Sequence, residues 1–268
     1  MRFRILGSVD VEVDNQIKVI PGARQRTLLT ALLIRNGRPV STEELYQELW
    51  GENPPARMEN SLQAHVYRLR QTLERLAGRS AKPPALTTRS PGYMLDIDPD
   101  MLDMNSFRAR IAEARAVRTS DPRRAYMLLS EALKLWRGTP MRDVATGPMC
   151  QSVALQLEEE YITAVEDHIS LGIDCEGPLH VIGELKRMSA IYPWRERIIE
   201  LLMLALYRSG RQAEAIEAYN QTRLRLVNDL GMEPSGSLQR LFQEILSQAP
   251  ELNLPSKDSS TPRLSKTG

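Results

Sequence analysis

One helix with two opposed faces, followed by a turn-rich link and a Thr-rich hairpin, constrains this chain more than any other stretch. Between residues 59 and 77, Leu62, Val66, Leu69, Leu73 and Leu76 recur at spacings of four and three. They therefore share one side of a helix. At about 100° per residue, the opposite side presents Ser61, Ala64, Arg68, Gln71 and Arg75, with Asn60 at its start. His65 lies on one flank; Gln63, Tyr67 and Arg70 lie on the other. Small, amide and guanidinium groups flanked by hydroxyls fit a DNA major groove, where Arg pairs bidentately with guanine and Ser, Tyr and His reach phosphates.

A basic outer face is also what a merely solvated helix shows, and the distribution of charge favours the first reading. Residues 57–89 hold Arg57, Arg68, Arg70, Arg75, Arg79, Lys82 and Arg89 against Glu59 and Glu74, seven cations to two acids and a net of +5. The whole chain is only +1. A local basic patch on a near-neutral protein is the footprint of a phosphate-binding surface.

The 268 residues suffice for two domains with separate cores. Aromatics are sparse, at 5%, which argues against a single-strand binder that stacks successive bases. Cys150 and Cys175 have no CxxC partner and the three histidines are scattered, so neither a disulfide framework nor a zinc site is expected. No cofactor is implied. No apolar run approaches the eighteen or so residues of a membrane span and no signal peptide is evident, so a cytoplasmic, nucleoid-associated protein is expected.

The hydrophobic period changes along the chain. Phe3 and Ile5, then Val9, Val11 and Val13, then Ile17 and Val19 alternate, with turns at Gly7-Ser8 and Asp14-Asn15; three short antiparallel strands follow. Pro21-Gly22 opens a helix with Leu28, Leu29, Leu32 and Leu33 clustered, and Asn36-Gly37 closes it. Ser41 and Glu44 form a capping box for a second helix that ends at Trp50-Gly51. Leu86-Thr87-Thr88 and Tyr93-Met94-Leu95 flank Arg89-Ser90-Pro91-Gly92 as a hairpin. Strands, three helices and a hairpin give the order of a winged helix-turn-helix. From about Met101 strand signals vanish. Helical periods then occupy 104–118, 121–136, 149–172, 178–191, 194–209, 211–229 and 235–248, broken by Pro and Gly. Helix pairs with Ala, Leu and Tyr at packing positions suggest a tetratricopeptide-like domain. Trp136, Trp194, Tyr207 and Tyr219 are expected inside it, and His168 and His180 are read as structural. Three segments result: 1–98, 99–249 and a disordered Ser-, Pro- and Lys-rich tail over 250–268. The fold class is mainly α with a small β part.

The stretches ARQRTLLTALLIRNGRPVSTEELYQELWGENPP, SLQAHVYRLRQTL and TTRSPGYML, then ALKLWRGTPMRDV, YPWRERIIELLMLALYRSGRQAEAIEAYNQTRLRLVNDLGMEPS and LFQEIL, occur in that order. On these motifs the chain resembles the SARP family of actinomycete antibiotic regulatory proteins over roughly residues 1–248. The resemblance implies an OmpR-type winged-helix DNA-binding domain joined to a bacterial transcriptional activation domain. It further implies a sequence-specific activator of an antibiotic gene cluster, binding direct repeats of double-stranded promoter DNA near the −35 region. Such proteins recruit RNA polymerase holoenzyme through its principal sigma factor and self-associate side by side on DNA. Carried over by position, Ser61, Ala64 and Arg68 face bases. Asn60, His65, Tyr67 and Arg70 hold phosphates. Thr87, Arg89 and Tyr93 form the wing contacts, and Trp50 touches the backbone, although a Trp in that place also seals cores. Tyr67 and Ala64 depart from the commonest OmpR-type choices.

Other classes fit less well. The chain lacks GxxxxGK[ST], GxSxG and HExxH, so no enzyme is expected, and the ATPase module of larger SARP relatives is not expected either. The second reading is a helical protein-interaction scaffold with only non-specific DNA binding. A phosphorylation-controlled regulator would be expected to carry a receiver domain ahead of residue 1.

Overall fold

The computed structural model describes residues 1–77, 83–144 and 147–253. Arg79 and Lys82, counted above in the basic patch, lie outside the described residues, as does the tail from 254. The chain forms two compact units, one of residues 1–112 and 130–162, the other of 113–129 and 163 onward.

The first unit begins with the expected meander of β1 (Arg2–Arg4), β2 (Asp10–Val13) and β3 (Gln16–Val19), in that spatial order. Asp14 and Asn15 both adopt positive φ, at 49° and 59°, as a two-residue primed turn requires. Phe3, Ile5, Leu6, Val9 and Val11 are fully buried, whereas Ile17 and Val19 lie exposed on edge strand β3. Three helices follow: α1 (Ala23–Arg35), α2 (Thr42–Trp50) and α3 (Met58–Ala77). Leu28, Leu29, Leu32 and Leu33 of α1 are buried together. The capping box forms as expected, with Glu44 N–H donating to Ser41 Oγ at 3.1 Å and Ser41 N–H to the Glu44 carboxylate at 2.9 Å. On α3, Leu62, Val66, Leu69 and Leu73 are buried, but Leu76 is half-buried while Thr72 and Ala77 are buried. At 3.6 residues per turn the core stripe runs between 76 and 77 at this end.

The hairpin consists of β5 (Ala85–Arg89) and β6 (Gly92–Asp96), with Leu86 opposite Leu95 and Arg89 opposite Gly92. A strand that the sequence pattern does not announce, β4 (Val40–Ser41), pairs with β6 to give the order β4-β6-β5. Gly92 permits this: a Cβ there would run into the carbonyl of Val40.

Residues beyond 98 complete this first unit. They come from the start of α4 (Asp103–Val117), the end of α5 (Pro122–Leu133) and the start of α6 (Pro148–Cys175). Phe3 bridges Leu102. The buried Asp103 carboxylate accepts the N–H groups of Ile5 at 2.9 and 3.0 Å and of Leu6 at 3.1 Å, and Arg137 Nη2 at 3.3 Å. Arg137 also reaches Asp10 at 3.2 Å and the Ser8 carbonyl at 3.1 Å. Asp143 accepts the Val9 N–H at 2.7 Å and pairs with Arg26 of α1 at 2.9 Å. Glu48 of α2, buried, accepts the Met149 and Cys150 N–H groups at the start of α6, and a Cβ on Gly147 would collide with it. Packing therefore runs straight across residue 98. Trp136 lies in this unit between Phe107 at 5.4 Å and Tyr161 at 4.5 Å.

The second unit holds α7 (Ile182–Ile191), α8 (Glu196–Arg208), α9 (Gln212–Leu230) and α10 (Gly236–Leu246), with the remaining parts of α4, α5 and α6. Helices α8 and α9 form a tight pair through Gly210, whose φ of 75° suits glycine. Ile198, Ile199, Leu202, Leu206 and Ala215 are buried, and Tyr219 stacks on Phe242 at 3.9 Å. Two expectations are corrected. Trp194 is 47% exposed rather than internal, because it precedes α8 in the turn after Pro193 and takes no place in the helix-pair stripe. Residues 250–253, assigned by composition to the tail, form a 3-10 turn; Leu252 is buried and its carbonyl accepts Arg208 Nε at 2.6 Å. No described helix is long and apolar enough to cross a membrane.

Candidate nucleic-acid interface

The core stripe of α3 fixes what its other side presents. With Leu62, Val66 and Leu69 buried, Asn60, Gln63, Ala64, Tyr67, Arg68, Gln71 and Arg75 are exposed, and Ser61, His65 and Arg70 are half-buried. Arg68 donates through Nε to the Ala64 carbonyl one turn back at 3.1 Å, which leaves its two Nη groups without a protein partner among the described residues. Gln71 donates to the Tyr67 hydroxyl at 2.8 Å. Among the described residues, Arg24, Arg57, Arg68, Arg75 and Arg89 have no carboxylate partner, while Arg26 and Arg35 of α1 pair with Asp143 and Glu44. Unpaired guanidinium groups side by side repel each other, and an incoming polyanion relieves that repulsion.

His65 and Arg70 are tied into the fold. Gln25 of α1 donates Nε2 to the His65 carbonyl at 3.2 Å and meets His65 Nδ1 at 2.9 Å. Burial, then Arg68 and Arg24, push the His65 imidazole below its ordinary value. Arg70 donates Nε to the Leu86 carbonyl at 2.8 Å and Nη2 to Thr88 Oγ1 at 3.2 Å, so it braces the hairpin against α3.

On the hairpin, Thr88, Arg89, Ser90 and Pro91 are exposed. Thr87 Oγ1 is buried, and Tyr93 on the central strand β6 is only 9% exposed. Tyr93 shares the buried face of the hairpin with Leu86 and Leu95, whereas the half-buried Thr87 lies on the other face opposite Met94; the exposed Thr88 and Arg89 stand nearest the turn. Trp50 is half-buried, its ring 5.9 Å from Tyr46 and 6.1 Å from His65. Arg24, exposed at the start of α1 in the run Arg24-Gln25-Arg26, and Thr88, exposed on the hairpin, were not among the residues singled out from the sequence.

A helix with an exposed basic face, braced to a hairpin behind two shorter helices, is a winged helix-turn-helix. Residues 16–95 match the family model described as Transcriptional regulatory protein, C terminal, and residues 102–246 match that of the Bacterial transcriptional activator domain. The transcriptional regulator RedD of Streptomyces coelicolor is 40% identical over 96% of this chain and 73% of its own length. The chain belongs to the SARP family. The regulatory protein DnrI of Streptomyces peucetius is 34% identical over 94% of both chains. A solved structure of Mycobacterium tuberculosis EmbR, in complex with a low affinity phosphopeptide, superposes with a TM-score of 0.86 at 31% identity, covering 93% of this chain and 65% of EmbR. This SARP protein is a DNA-binding transcriptional regulator with a winged helix followed by a helical activator domain.

Proposed function

We propose that this protein is a sequence-specific activator of an antibiotic gene cluster. Two copies lie side by side on direct repeats near the −35 region, and each recruits RNA polymerase holoenzyme through its principal sigma factor. Residues 1–98 read DNA, residues 99–249 contact the polymerase, and the protein works in the cytoplasm on the nucleoid. The observation that carries this reading is the unpaired arginine face of α3 beside the wing in a SARP chain. Ser61, Ala64 and Arg68 face bases. Asn60, Gln63, His65, Tyr67 and Arg75 flank them toward phosphates, Arg89 and Thr88 serve as the wing tip, and Trp50, Arg70, Thr87 and Tyr93 hold these elements in place.

Promoter binding by the full chain tests it. Arg68→Ala should cost roughly 1–3 kcal/mol of affinity and relax sequence preference at the bases it reads. A footprint with polymerase present should extend through the −35 region. Binding that never exceeds affinity for scrambled DNA by a factor on the order of a thousand would instead support a scaffold.

A further inference from the structure

A cleft of about 480 Å³ opens beside the base-facing residues, between the start of α1 and the second half of α3. Its walls include Arg24, Gln25, His65, Arg68 and Arg75, with Gly22 at the rim. Three of these are arginines that no carboxylate neutralises. Gly22 caps α1 without a side-chain hydrogen bond, and the first turn of α1 holds no acidic residue. The N–H groups of Ala23 and Arg24 have no earlier helical carbonyl to reach, so the positive end of the helix dipole opens on the same space.

Gln25 fixes the state of His65. It is only 8% exposed, and its Oε1 is buried with no partner in the protein. The His65 carbonyl can only accept, so the Gln25 atom facing it is the donor Nε2. The same Nε2 lies 2.9 Å from His65 Nδ1, which must then be the acceptor, and the neutral imidazole carries its proton on Nε2. Gln25 thus holds His65 as a neutral ring with one donor remaining.

We propose that this cleft seats a backbone phosphate of the bound DNA, held by Arg24 and the open end of α1 together with His65 Nε2–H. Gln25 acts as the positioning residue that fixes the histidine tautomer. This rests on the reading of α3 as the DNA-binding helix. It adds a second contact line, from α1, that fixes the protein's register on the strand without reading sequence.

The test uses the full chain, a duplex selected by the protein from a random library and a scrambled duplex, both titrated over a range of salt. Arg24→Gln should lower the slope of log affinity against log salt by about 0.9 on both duplexes, with the ratio of their affinities unchanged. Arg24→Lys should restore most of the slope. In Gln25→Leu, nitrogen NMR of the His65 ring should show loss of the single Nε2–H tautomer, with weaker binding to both duplexes. An unchanged slope in Arg24→Gln while Arg68→Ala relaxes preference overturns the cleft and leaves the α3 reading standing. A changed affinity ratio in Arg24→Gln also overturns it, since the residue would then be reading bases. If inorganic phosphate protects Arg24 from modification but DNA does not, the site is one for free phosphate instead. Unchanged preference in Arg68→Ala counts against the α3 reading itself.

Discussion

Replacing Asp103 by alanine should unlatch the N-terminal strands from the residues that follow the winged helix. The carboxylate is 8% exposed and serves two buried backbone donors, Ile5 and Leu6, as well as Arg137. Each buried N–H left without an acceptor costs about 1–3 kcal/mol, and breaking a buried ion pair by removing one partner costs roughly 3–5 kcal/mol. Arg137 keeps Asp10 as a partner, so the charge term largely falls away and the two N–H groups set the expected loss at about 2–6 kcal/mol. For a unit of this size that corresponds to a fall of about 10 °C in Tm. Urea and thermal unfolding followed by the fluorescence of Trp136, which lies in the same unit, give the number. Asp103→Asn keeps one acceptor oxygen and should cost about half. It should also remove a pH dependence. Burial pushes the Asp103 carboxyl above its ordinary 3.8, against the pull of Ile5, Leu6 and Arg137. The fold then holds its proton longer than the unfolded chain does, so this group lowers stability as pH rises from 3.8 through the folded value and no further above it. A loss below about 1 kcal/mol in Asp103→Ala would refute the reasoning, because it would show that the two N–H groups find other acceptors.

Arg70→Ala should weaken binding to every DNA sequence and speed amide exchange in β5, whose Leu86 carbonyl and Thr88 hydroxyl it holds; slower binding with unchanged exchange would mark it as a phosphate contact alone. His168 stacks on Tyr126 at 4.5 Å with its Nε2 buried, and burial, then His180, hold the imidazole below its ordinary 6.5. The fold keeps His168 neutral while the unfolded chain takes up a proton, so its contribution to stability is complete above 6.5 and is lost as pH falls below it. His168→Gln should flatten that slope in urea midpoints measured from about pH 7.5 to pH 5, and an unchanged slope would exclude the residue as its source.

The elements that carry their own period were legible in the sequence. The alternation through Val13, the leucine cluster of α1, the Ser41–Glu44 box and the stripe of α3 are local patterns that formed where the spacing places them, except that the last turn of α3 buries Thr72 and Ala77 ahead of Leu76. What was not legible depends on partners far away in the chain. Strand β4 is two residues that become a strand only by pairing with β6. The roles of Arg70 and Gln25 emerge only when the hairpin and α1 are brought against α3. Thr87 and Tyr93 were assigned to the wing surface by position, yet the pleat places Tyr93 on the buried face with Leu86 and Leu95, and the hydroxyl of Thr87 is covered on the other face. No spacing rule links Asp103 to Ile5 or Asp143 to Val9 across about a hundred residues or more.

The stitching of strands β1 and β2 to residues 102–143 bears on how regulators of this kind exchange parts. The two matched family regions cover 16–95 and 102–246, and the first fifteen residues fall in neither. Yet those residues supply Phe3, Ile5, Leu6, Val9 and Asp10, the partners of Leu102, Asp103, Arg137 and Asp143. A hybrid joined near residue 98 would inherit its opening strands from one parent and their sockets from the other. Recombination that keeps such a chimera folded has to carry the first dozen or so residues along with the activator half, so the working unit of inheritance here is discontinuous in the gene.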